Sequence, residues 1–244
     1  MTNALGTRIL DHLAVVDNER LGREAQSGLE GAVAALKLYQ QARFARTHAD
    51  LLADRRYGPA ANFFLEELYG PRDFTQRDAQ FKRIVPALVH VFPEDIVTTV
   101  EALAAVHALS EGLDTSMARH VGTAPPARVP YVLAWQATGA PQARVRQLEL
   151  VMTVGRALDR HTRSRLLRAS LKAMRAPARA AGLAALQTFL EEGFEAFAAM
   201  GGAKEFLATI ERRETALAHR LFDADAPAAA AGALRPDDPL AQLP

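Results

Sequence analysis

Cysteine is missing from all 244 residues, which rules out disulfides, thiolate catalysis and cysteine-ligated zinc or iron–sulfur centres. Serine is scarce, with five residues, and none sits in a Gly-x-Ser-x-Gly elbow. Gly-rich phosphate loops and the His-Glu-x-x-His zinc motif are absent as well. None of the seven histidines follows a Glu or Asp by three residues, so the Glu-x-x-His pairs of di-iron helical bundles are disfavoured. There is no run of about 18 uncharged apolar residues, and the opening MTNALGTRILDHLAVVDNER lacks the basic-then-apolar layout of a secretory signal. The expectation is a cytoplasmic protein with no transmembrane segment, no metal and no cofactor.

What is present is ordinary soluble-protein composition, 49% hydrophobic and 23% charged, in a length that suits one domain or at most two. Leu5, Ile9, Leu10, Leu13 and Val16 recur at helical spacing and predict a helix over 4–18. Val33, Leu36, Tyr39 or Gln40, Arg43 or Phe44, Thr47 and Leu51 predict a longer one over 29–54, and the segment 17–28 between them is too polar to assign. Thr75 with Asp78 makes a capping-box-like start, and Pro93-Glu94-Asp95 opens a helix running to about Arg119. Helical patterning resumes at Tyr131 and continues to Phe222, punctuated by Pro177 and Gly201-Gly202. The pattern predicts an all-α chain, a single multi-helix bundle of about eight to nine helices over 1–222 with no sheet. Residues 122–130, with three prolines, form an internal break that is either a loop or a linker between two lobes. Residues 223–244 are Ala/Pro-rich and aperiodic and are expected to be a disordered tail.

The strongest local signature is Tyr57 to Asp78, YGPAANFFLEELYGPRDFTQRD, where an aromatic cluster lies between two Tyr-Gly-Pro marks. Pro59 suits the first turn of a helix and Gly70 the residue just past its end, which predicts a buried helix from Pro59 to Tyr69. On it Ala61, Phe64 and Leu68 share a face, while Asn62, Glu66 and Glu67 fall to the other side. FFLEELYGPRDF followed by Arg77-Asp78, with a second block at Phe189-Leu190-Glu191-Glu192-Gly193-Phe194 and on through Phe197, Met200-Gly201-Gly202-Ala203, Phe206-Leu207 and Arg213-Glu214, resembles a family of uncharacterised bacterial proteins named after FFLEELY. The resemblance spans about residues 57 to 215. It implies a helical fold and a bacterial cytosolic origin, and it brings no activity, cofactor or catalytic residue.

Three polar groups are candidates for chemistry. His107, Glu111 and Asp114, at i, i+4 and i+7, stack on one helical face and could form an acid–base pair or a ligand set; the plainer alternative is a polar helix end. Glu66, Glu67, Arg72, Asp73, Arg77 and Asp78 surround the signature, where ion pairs that fix a turn are the simpler reading. From Arg144 to Arg179, ten Lys/Arg face two acids, a local +8 in a chain of net +1, so the remainder is −7. Within it Arg165, Arg168, Lys172 and Arg175 lie on one helical flank. That flank could meet a protein partner or a second subunit. Anionic lipid or nucleic acid is a lesser alternative, because no aromatic for base stacking falls between Trp135 and Phe189. Lacking a coherent catalytic set, the sequence favours a non-enzymatic binding module that uses 144–179. The alternative is a helical enzyme or metal-binding protein built on the acid/His cluster near FFLEELY.

Overall fold

Leu5, Ile9, Leu13 and Val16 do form one buried stripe, on α1 (Thr2–Glu24), but that helix runs a further turn and a half beyond the apolar pattern. The computed structural model describes residues 2–67, 74–122 and 126–244, with side chains from residue 4 onward. The chain continues through α2 (Leu29–Thr47), α3 (Ala49–Ala53), α4 (Gly58–Glu67), α5 (Thr75–Val91), α6 (Glu94–Val121), α7 (Arg128–Thr138) and α8 (Pro141–His161). It then forms α9 (Arg165–Ala173), α10 (Arg175–Ala180), α11 (Ala184–Met200), α12 (Lys204–Phe222), α13 (Ala226–Ala231) and a 3-10 turn at Pro239–Gln242. Among the described residues there is no strand.

The organising element is α6, about 42 Å long at 1.5 Å per residue. Against it pack α1, α2, α7 and α8, with α5 at one end. It is also apolar and long enough, by composition, to cross a membrane, but here it is the central helix of the bundle. Its Val97 and Ala104 join Leu5, Ile9 and Leu13 of α1 in one apolar cluster, and its Met117 and Ala118 join Leu36, Tyr39, Tyr131 and Leu221 in another. The run Ile96-Val97-Thr98-Thr99-Val100 near its start has strand propensity but is helical, with Val97 fully buried, since a helix continuing through Ala-rich sequence outweighs a weak local preference.

The two blocks that carry the family resemblance pack on each other. Phe63 and Phe64 of α4 meet α11 and α12: the Phe63 and Phe189 rings lie 5.6 Å apart, and Phe64 sits 6.0 Å from Phe197 and 5.5 Å from Phe206. Gly193 makes the approach feasible, since a Cβ there would come within 2.8 Å of the Phe63 ring. The helix start is fixed by Asp54, whose Oδ1 accepts from the backbone N–H of Arg56 and Tyr57, while Arg56 donates to the carbonyls of Met200 and Gly202 beside the α11 terminus. Gly58 fits because a Cβ there would touch the Leu52 carbonyl at 3.0 Å.

Three expectations need correction. The helical segments exceed eight to nine, because the helix expected over 29–54 is split at His48 into α2 and α3, and short turns such as α10 and α13 form where Pro-containing sequence gives no periodic signal. Glu67 faces inward: it continues the i, i+3 row of Ala61 and Phe64 and is buried. Residues 223–244 are not a disordered tail; α13 and the 3-10 turn insert Ala226, Ala230, Leu240 and Leu243 into the core around Tyr39 and Tyr131. Tertiary burial orders a segment whose own sequence is too poor in apolar residues to order itself. Of the 122–130 break, residues 123–125 lie outside the described residues, as do 68–73; α7 and α8, which follow it, both pack on α6, which precedes it.

Candidate functional site

On three helices the inward apolar stripe turns polar partway along, and the polar stretches meet. On α1 the inward row of Ile9, Leu13 and Val16 continues as Arg20 and Arg23. On α2 the row of Val33 and Leu36 is joined by Lys37, Gln40 and Arg43. On α6 it becomes His107, Glu111 and Asp114, which share one face as the spacing predicts, and that face points inward; Glu111 and Asp114 are buried and His107 is half-buried.

The structure does not join that trio into one acid–base pair; each member has its own partner. His107 Nε2 lies 2.9 Å from Asp78 Oδ2, which also accepts from Arg20 Nη2 at 2.7 Å. Glu111 is clamped between Arg23 Nη1 at 2.6 Å and Lys37 Nζ at 2.5 Å, while Arg23 also donates to Thr115 Oγ1 and to the Glu111 carbonyl. Asp114 Oδ1 accepts from Gln40 Nε2 at 3.2 Å.

The signature's charges form the outer end of the same system. Arg77 donates to Glu67 Oε2 at 3.0 Å and to Asp78 Oδ1 at 3.3 Å, and its guanidinium lies 3.8 Å from the Phe74 ring centroid and 4.6 Å from that of Phe189. One arginine thus ties α4, α5 and α11 together through two carboxylates and two ring faces. Glu66 is exposed on the opposite side of α4. Arg72 and Asp73 lie outside the described residues. A separate cluster, which no sequence pattern marks, sits between α2 and α12: Glu214 Oε1 lies 2.5 Å from Arg43 Nη1 and 2.9 Å from Nε2 of the fully buried His48.

Electrostatics separate these acids into two kinds. Burial raises the Asp78 pKa, but the His107 hydrogen bond and charge with Arg77 and Arg20 outweigh it and hold it down at about 2. Burial is likewise overcome at Glu111 by Lys37 and Arg23, and at Glu214 by Arg43 and His48, each held at about 2. Asp114 goes the other way: burial and the neighbouring Glu111 charge push it up, only partly opposed by Lys37, Arg144 and Gln40. A carboxyl with a raised folded pKa stabilises the fold at low pH and loses that contribution as pH rises through its folded value. Asp114→Asn keeps the acceptor for Gln40 and removes the buried charge, so its unfolding free energy at pH 7 is expected to be unchanged or higher by about 1 kcal/mol. Urea denaturation checks this; a loss of more than about 2 kcal/mol would mean that the Asp114 charge itself is needed.

Chemically, Asp78, Glu111 and Glu67 are each held by at least one cation, whereas Asp114 is held by the Gln40 amide. Among the described residues no group of three His, Asp or Glu side chains could hold a metal ion. A groove of about 480 Å³ lies elsewhere, lined by Arg46, Asp50, Arg212, Arg213 and residues 236–239 and 242.

The basic stretch is not uniform. Arg144 is buried, its guanidinium 4.0 Å from the Trp135 ring, and Arg156, Arg163 and Arg175 pair with Glu211, Asp159 and Glu191. Arg168 lies 5.7 Å from the Phe194 ring. Arg179 is exposed and adds its charge to the field at Glu191. Arg165 and Lys172 are exposed, with no ionic partner among the described residues. Of the four predicted binding residues, therefore, Arg175 is neutralised within the fold, Arg168 rests on an aromatic face, and Arg165 and Lys172 are open. The helix that bears them, α9, buries none of its residues fully and packs on α10 and α11. It also exposes Leu166 (78%), and Met174 just beyond its end is 48% exposed.

Fold and site together define an all-helical protein with a buried ionic spine along its central helix and a basic helix pair on its surface. The chain belongs to the family of the domain of unknown function DUF8198, whose model matches residues 19–228. No curated protein and no solved structure matches it.

Proposed function

We propose that this protein is a non-enzymatic binding module of the FFLEELY-type bacterial proteins, cytoplasmic, whose docking surface is α9 with the start of α10 and whose partner is an acidic protein segment. The observation that carries the reading is the lack of any fully buried residue on α9 together with two exposed cations, Arg165 and Lys172, that have no ionic partner among the described residues, beside an exposed leucine. A helix held on one side only, with charge facing water, loses little by being covered and gains from desolvating Leu166 against a partner. The rest of the basic stretch, 144–163, contributes through the fold, since its arginines are buried or paired where Arg144, Arg156 and Arg163 are concerned. The alternative, an enzyme or metal protein built on His107, Glu111 and Asp114, rests on the hydrogen bond between His107 and Asp78. Against it stands the pairing of Asp78 with Arg20 and Arg77 and of Glu111 with Arg23 and Lys37.

The test is fluorescence polarisation with a labelled oligoglutamate peptide carrying one leucine, across a salt series. Binding is expected to weaken steeply with salt, as it does for exposed charges beyond a Debye length of about 10 Å at 0.1 M. Arg165→Glu with Lys172→Glu should weaken it about tenfold or more at an unchanged melting temperature. No binding, or stronger salt-sensitive binding to phosphatidylserine vesicles or duplex DNA than to the peptide, would refute an acidic protein partner.

A further inference from the structure

Residues 229–244 lie beyond the matched family domain, which ends at residue 228, yet they fill part of that domain's core. Two leucines three positions apart do most of the filling. Leu240 and Leu243 are both 0% exposed, while Ala233, Arg235, Pro236 and Asp237 before them are exposed. The 3-10 turn at their position packs on α2, α12 and α13, and the leucines join the cluster of Leu36, Tyr39, Tyr131, Leu217 and Leu221. The polar contacts are side chains of the domain reading the segment's backbone. Arg46 Nη1 donates to the Leu243 carbonyl at 3.1 Å, and Tyr39 Oη donates to the Pro244 carbonyl at 3.3 Å. Asp238 caps the turn through the Leu240 N–H and faces Arg220 at 3.4 Å. The groove of about 480 Å³ runs beside the same segment, between Arg46, Arg212 and Pro239.

Two buried apolar anchors, carbonyls held by domain side chains, and a mostly exposed connection make up the anatomy of a bound peptide. We propose that the trough between α2 and α12 is a peptide-binding groove for a Pro-Leu-x-x-Leu segment, which Pro239, Leu240 and Leu243 occupy in this chain as a displaceable ligand in cis. The occupant is residues 236–244 of this chain. Leu240 and Leu243 supply affinity by burial, Pro239 presets the turn, and Arg46 and Tyr39 fix direction by their two carbonyl contacts. The stretch 231–237, exposed except at the half-buried Leu234, supplies the slack that release requires.

The experiment uses the full chain with a protease recognition sequence inserted after Arg235. The folded protein is cut there and titrated with a fluorescent peptide of residues 236–244. The expected result is saturable uptake of the labelled peptide, competed by unlabelled peptide, with the helical circular dichroism retained. A peptide carrying Leu240→Ala and Leu243→Ala should bind about a hundredfold more weakly or worse. Arg46→Ala in the protein should weaken binding of the unaltered peptide about tenfold, the expected loss for a charged hydrogen bond to a carbonyl. The proposal is overturned if the cut chain keeps its segment without exchange, if release unfolds the bundle, or if the doubly substituted peptide binds equally well.

Discussion

Replacing Glu111 with Ala is expected to lower the unfolding free energy by about 3–5 kcal/mol, the usual cost of breaking a buried ion pair from one side. Glu111 is 3% exposed and is the common counter-ion of Arg23 and Lys37, which reach it from α1 and α2. Its loss leaves two largely buried cations beside the central helix without their counter-charge, and burial makes such charges costly. For a chain of this length that loss corresponds to a fall in melting temperature of about 6–20 °C. Replacing all three partners, Arg23→Met, Lys37→Met and Glu111→Leu, removes charges and desolvation together and should recover most of the stability. Differential scanning calorimetry of the two variants decides the point. If Glu111→Ala melts like the parent, the network is not what holds α1 and α2 onto α6.

Acid should weaken the fold in a defined window. Asp78, Glu111 and Glu214 have folded pKa values of about 2 against ordinary values of 3.8, 4.5 and 4.5. A depressed folded pKa contributes stability that is complete above the ordinary value and is lost as pH falls toward the folded one. The loss therefore belongs between about pH 5 and pH 2, and near pH 3 unfolding should take up about two to three protons at these three sites. Each contributes on the order of 3 kcal/mol at neutral pH, from 1.36 kcal/mol per pKa unit. Asp114 opposes them, since its raised value makes acid relieve a buried charge. Denaturant titrations from pH 7 to pH 2 measure the slope directly; a flat profile below pH 5 would contradict the pairing of these carboxylates in the folded state.

The helical architecture and the shared face of His107, Glu111 and Asp114 on α6 are legible in the sequence, because both rest on the 3.6-residue period and on local start and stop signals. The partners of that face are not. Apolar periodicity ceases to be a guide where Arg20 and Arg23 occupy stripe positions, and so the end of α1 looks like a polar connection. Carrying the spacing of Leu13 and Val16 forward regardless of polarity places both arginines inward. Glu67 is obscured in the same way, since a carboxylate on a buried row is recognisable only once Arg77 is placed beside it. Glu214 and His48 are far apart in sequence, and no local pattern couples them. The order of residues 223–244 depends on a trough built by α2 and α12, which two leucines in an aperiodic segment cannot announce. Charge counting finds the basic stretch but not its neutralisation, because Glu211 and Glu191 belong to other helices.

The most direct test crosses the two halves of the molecule: oligoglutamate binding and thermal unfolding measured together on Glu111→Ala and on Arg165→Glu with Lys172→Glu. The expected result is that the Glu111 variant melts lower and, below its transition, binds the peptide with parental affinity, while the α9 variant melts like the parent and loses binding. The opposite pattern, peptide binding lost with Glu111 and retained without the α9 charges, would contradict a structural spine and a docking helix alike.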